Sequence, residues 1–107
     1  MRWEDIYLPL HQVGAVRNQR DLSALAGGSP SLMSSSKARG REPSISSMAG
    51  LFAYLDELEG EACSLLMTGQ SLTEEERQTA IVAHQLKQEV LQAIKRKALG
   101  PRKGGAA

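Results

Sequence analysis

With 107 residues, 41% of them apolar and 23% charged, the chain is long enough for one domain of modest core plus tails and too apolar to be wholly disordered. Its four aromatics, Trp3, Tyr7, Phe52 and Tyr54, leave the core to Leu, Met, Val and Ala, which favours packed helices over a sheet. A formal charge of +1 says nothing about partners until it is resolved along the chain, and the single cysteine, Cys63, excludes an internal disulfide.

In chain order, Leu10, Val13 and Val16 recur at one helical turn and predict a first helix from about Leu10 to Arg17. Pro9 suits its first turn, and Trp3 to Leu8 form an entering segment. Asn18 is an N-cap for a short second helix carrying Leu22, Leu25 and Ala26 on one face, stopped by Gly27 and Gly28. Ser29 followed by Pro30 then signals a restart, so a third helix is expected from Pro30 to about Ala38 with Leu32 and Met33 inward. Gly40 closes it.

Ser44 caps a fourth helix whose stripe, Ile45, Met48, Leu51, Phe52 and Leu55, closes the core. Beyond Gly60 a short fifth helix ending near Gly69 is expected, with Cys63 as a small buried apolar side chain in it. Thr73 and Glu76 form a capping box for a last helix from about Glu74 to Ala98, with Ile81, Val82, Leu86, Val90, Leu91 and Ile94 as its stripe. That stripe exceeds what a four-helix core needs and suggests a homodimer interface or a docking face for a protein partner.

The expected fold class is therefore all-α: a compact helix-turn-helix bundle of four to five short helices followed by a longer C-terminal helix. Residues 1–69 form the helix-turn-helix domain, 70–99 the C-terminal helix and 100–107 a disordered tail. Glu4 and Asp5 near the start, with no long apolar stretch, argue against a signal peptide or a membrane partner, so a cytoplasmic, nucleoid-associated protein is expected.

Charge is segregated by segment. From Arg17 to Glu42 five cations, Arg17, Arg20, Lys37, Arg39 and Arg41, face only Asp21 and Glu42. Leu55 to Arg77 is acidic, and the end is basic again through Lys95, Arg96, Lys97, Arg102 and Lys103. The last cluster is either a solvated terminus or a source of nonspecific DNA affinity.

Helix, glycine turn and helix within about twenty residues is the layout in which a second helix enters the major groove. The segment Asn18 to Leu55 resembles the Cro/C1-type (XRE-like) helix-turn-helix family of phage and bacterial repressors. Asn18-Gln19 stands at that family's opening Thr-Gln pair, Leu22-Ser23 at its Leu-Ala pair and Gly27 at the turn glycine. Ser29 takes the cap, Met33-Ser34 the aliphatic-Ser pair, and Arg39-Gly40-Arg41-Glu42-Pro43-Ser44 the closing turn. The sequence departs from the pattern at Gly28, where an aliphatic residue is usual, at Lys37, where an acidic one is common, and by one residue in the link before Pro43.

The resemblance implies double-stranded DNA binding by a small transcriptional regulator, sequence-specific or shape-selective, acting as a homodimer. The expected DNA-binding residues are Gln19, Ser29, Ser31, Ser34, Ser35, Lys37, Arg39 and Arg41. Gln19 at a helix start sets register on a phosphate or base, the serines give a permissive hydroxyl face, and the three cations contact phosphates. Ser34 to Ser36 with Lys37 also reads as a solvated loop of poor helix propensity. The alternative function is a protein-interaction adaptor acting through the C-terminal helix. No cofactor, metal site or catalytic residue is expected: His11 and His84 have no ligand partners at the right spacing, and the sequence offers no nucleophile-base pair or phosphate loop.

Overall fold

The computed structural model describes residues 1–99 as five helices with no strand. The 100–107 tail lies outside the described residues.

Helix α1 is Trp3–Gln12. It starts seven residues before the expected Leu10, and Trp3 to Leu8 belong to it. Trp3, Ile6 and Leu10 share one face and are all buried, and that face outweighs the N–H that Pro9 withholds inside the helix. Glu4 and Asp5 sit in the first turn, where the helix dipole favours negative charge. The Asp5 carboxylate accepts the Arg2 backbone N–H at 2.8 Å. Gly14, at φ +78°, turns the chain out of the helix, so Val16 enters the core from the linker and not from a helix.

Helix α2, Gln19–Leu25, opens as expected at Asn18, whose Oδ1 accepts the Asp21 N–H at 3.0 Å. Helix α3 is Leu32–Ala38 and begins two residues later than expected. The Ser29 carbonyl accepts the Leu32 N–H at 3.0 Å across a turn through Pro30, so Ser29 closes a turn and does not cap the helix. At its end the Arg41 N–H returns to the Ser36 carbonyl at 2.8 Å, with Gly40 at φ +66°.

Helix α4, Ile45–Met67, is capped by Ser44, whose Oγ accepts the Ser47 N–H at 3.1 Å. It continues through Gly60 as a single 23-residue element, so the separate fifth helix does not exist. Each of its two interior glycines, Gly50 and Gly60, costs about 0.5–1 kcal/mol, and tertiary packing of so long a helix absorbs the cost. Helix α5, Glu74–Leu99, carries the expected capping box: Thr73 Oγ1 accepts the Glu76 N–H at 3.1 Å and Glu76 Oε1 accepts the Thr73 N–H at 2.9 Å.

Helices α4 and α5 form an antiparallel hairpin and pack more extensively than any other pair. Asp56 meets Lys87 midway along it, and the start of α4 lies beside the end of α5. Ala83, Leu86, Val90 and Ala93 of α5 are buried in the same core as Leu51 and Leu55. Val82 and Ile94 are half-buried against that core, while Ile81 is 46% exposed. Most of the apolar stripe that suggested a further interface is thus already covered within the chain. Helix α1 lies on α5, and α2 contacts both α3 and α4.

Candidate nucleic-acid interface

The α2–turn–α3 unit is held by one buried hydroxyl. Ser23, fully buried on α2, donates to the Gln19 carbonyl at 2.9 Å and accepts the Met33 N–H at 3.0 Å. An N–H in the first turn of α3 has no partner within its own helix, and here a residue of the preceding helix supplies it. Leu22 and Met33, both fully buried, fill the angle between the two helices.

With Met33 turned inward, Ser34 and Ser35 are exposed on the opposite side of α3, and Lys37 follows Ser34 at one helical turn. Gln19, half-buried at the start of α2, accepts the Ser34 hydroxyl through Oε1 at 3.1 Å. These two expected site residues are therefore in direct contact. Ser29 and Ser31 are exposed in the turn, with their hydroxyls 3.4 Å apart.

Lys37, Arg39 and Arg41 are exposed and meet no carboxylate within ion-pair distance among the described residues. Lys37 and Arg41 border one recess together with Arg2 and Trp3, while Arg39 lies outside it at the end of α3. Arg17 is engaged differently, 3.7 Å from Asp21.

Sequence reasoning missed three contributors. Ser23 was legible only as a small residue in a turn motif. Gly50 of α4 permits close approach of α2: a Cβ there would sit 2.9 Å from the Leu25 carbonyl oxygen. Lys97 of α5 donates to the Pro43 carbonyl at 3.0 Å and so reaches the α3–α4 turn. The basic composition of residues 95–97 was the available signal for Lys97, but its destination depends on the antiparallel return of α5.

Cys63, expected inside, is exposed on α4. No group of three or more His, Cys, Asp or Glu side chains among the described residues is placed to hold a metal ion. No described helix is long and apolar enough to cross a membrane.

No curated protein and no solved structure matches the chain. A family model described as a family of unknown function, DUF6626, matches residues 3–102, nearly the whole length, and the chain belongs to that family.

Proposed function

We propose that the chain binds double-stranded DNA and acts as a small transcriptional regulator through the outward face of α3. The observation that carries this reading is an exposed hydroxyl face, Ser34 and Ser35, on a helix fixed by Ser23, with three exposed cations, Lys37 on that helix, Arg39 at its end and Arg41 in the turn beyond it, that meet no carboxylate within ion-pair distance among the described residues. A protein that binds a polyanion keeps such cations free, and each phosphate it neutralises adds to a salt-dependent affinity. Short hydroxyl side chains hydrogen-bond bases or phosphates permissively, so selectivity draws on duplex shape as well as on base edges.

The test is a titration of labelled duplex against the full chain at several salt concentrations. Binding that weakens with salt, and weakens further on joint Arg39→Ala and Arg41→Ala substitution, is the expected result. Unchanged affinity in the double variant overturns the reading. A chain that binds no duplex at low salt leaves the adaptor alternative, which would have to use residues that α5 still presents outward. A homodimer on two half-sites is part of the DNA reading, and light scattering with and without duplex measures it.

A further inference from the structure

We infer that the DNA-facing surface continues beyond the α3–α4 turn onto the last turn of α5, where Arg96 takes a further backbone phosphate. This rests on the DNA reading above and names a contact outside the helix-turn-helix unit.

The surface can be followed residue by residue. Gln19 touches Ser34, and Ser34 lies one turn from Lys37 on α3. Lys37 and Arg41 border a recess of about 280 Å³ together with Arg2, Trp3 and two carboxylates, Glu4 and Glu42. Glu42 also borders an adjoining recess of about 160 Å³ formed with Met48, Ala93, Arg96 and Lys97. The two hollows are therefore neighbours across a single side chain.

Both carboxylates already have counter-charges. Glu4 lies 3.3 Å from the Arg2 guanidinium, and Glu42 lies 3.3 Å from the N-terminal amine. Arg96, by contrast, is exposed and lies within ion-pair distance of no carboxylate among the described residues, Glu42 of the shared recess being taken by the N-terminal amine. The Lys97 bond to the Pro43 carbonyl ties the end of α5 to the turn that carries Arg41, so Arg96 is held beside that turn by a fixed helix.

A nucleic-acid backbone presents phosphates at regular spacing, and a surface that engages several in succession binds without reading sequence. A cation added at the end of such a track should raise affinity for every duplex alike.

The experiment measures anisotropy of a labelled duplex of arbitrary sequence against the full chain, with salt varied from about 50 to about 200 mM. Four proteins are compared: the wild type, Arg96→Ala, the Arg39→Ala/Arg41→Ala double variant, and Arg77→Ala, which removes an exposed cation at the opposite end of α5. Arg96→Ala should lower the slope of log affinity against log salt by about 0.9, the value of one phosphate contact, and weaken binding equally for duplexes of different sequence. Arg77→Ala should match wild type. If Arg96→Ala also matches wild type while the double variant loses binding, the inference is overturned and the DNA reading stands. If the double variant keeps full affinity or wild type binds no duplex, the DNA reading itself fails and takes this contact with it.

Discussion

Ser23 of α2 accepts the Met33 N–H of α3 at 3.0 Å while donating to its own helix at the Gln19 carbonyl, 2.9 Å away. One hydroxyl thus links the residue that opens α2 to the first turn of α3. Because Ser23 is fully buried, no water replaces it when it is removed. Ser23→Ala leaves the Met33 N–H without an acceptor, and such a buried orphan costs about 1–3 kcal/mol. Thermal unfolding should shift down by about 4–8 °C for each kcal/mol lost. A melting temperature unchanged from wild type would show that α3 holds its place without this bond.

Gly50 and Gly28 make opposite demands on their surroundings. A Cβ at Gly50 would lie 2.9 Å from the Leu25 carbonyl oxygen and 3.2 Å from the Ala26 carbonyl carbon, both backbone atoms at the end of α2. Backbone there cannot give way without moving α2. Gly50→Ala gains about 0.5–1 kcal/mol in helix propensity, but overpacking of this kind costs about 1–3 kcal/mol, so net destabilisation is expected. The atoms nearest a Cβ at Gly28 would instead be Leu32 Cδ2, Cγ and Cβ, and the tightest of them, Cδ2, is the far end of a half-buried side chain that rotation moves, which leaves a 3.0 Å approach to Leu32 Cβ. Urea midpoints should therefore fall further for Gly50→Ala than for Gly28→Ala, and the reverse order would contradict the close approach of α2 and α4.

The α4–α5 hairpin carries a charge cluster with a definite pH signature. Lys87 Nζ lies 2.5 Å from Glu59 Oε1 and 3.0 Å from Asp56 Oδ1, and its ammonium stands 5.9 Å from the Phe52 ring centroid. The hydrogen bonds from Lys87 and then from His84 hold the Glu59 carboxyl below its ordinary 4.5. Stability from that carboxylate is present above the ordinary value and is lost as pH falls through the lowered one.

On the alkaline side, the hydrogen bonds that Lys87 donates to Glu59 and Asp56 raise its ammonium above 10.5. Burial, followed by the charges of Glu61, Asp21 and Glu57, raises Tyr54 above 10.0. Both groups stabilise the fold below their ordinary values, and that contribution fades as pH rises through the raised ones. Melting temperature against pH should therefore fall at both extremes. Glu59→Gln should flatten the acid limb, and Tyr54→Phe should soften the alkaline limb while losing the 3.2 Å bond to the Ala15 carbonyl. An acid limb unchanged in Glu59→Gln would place its origin in other carboxylates.

These particulars show where local sequence signals suffice. The side-chain caps at Asn18, Ser44 and Thr73 were legible because each acts within three residues of itself. The all-helical class followed from the same local rules. The start of α1 was not legible, because Pro9 looks like a boundary until Trp3, Ile6 and Leu10 are seen to share one buried face. The cap of α3 was hidden for a related reason: its acceptor, Ser23, lies ten residues away on another helix. At the candidate site the exposed serines and cations could be named from sequence. The meeting of Gln19 with Ser34, and of Lys97 with the α3–α4 turn, depends on helix packing that no local window contains.

The continuation of α4 through Gly60 has a chemical consequence at Cys63. A separate short helix folded onto the core could bury that thiol, but one continuous helix places it on the exposed side, three residues after the glycine. An exposed thiol reacts at a rate set by its thiolate fraction and needs no unfolding to become accessible. Native protein treated with an aromatic disulfide reagent should therefore form a mixed disulfide at the chain's only cysteine and release one equivalent of the reagent's aromatic thiolate, at a rate that denaturant changes little. Because Cys63 lies toward the far end of α4 from Ser44 and the α3–α4 turn, the labelled protein should bind duplex as the unlabelled protein does. Reaction seen only in denaturant would mean that α4 does not run uninterrupted past Gly60.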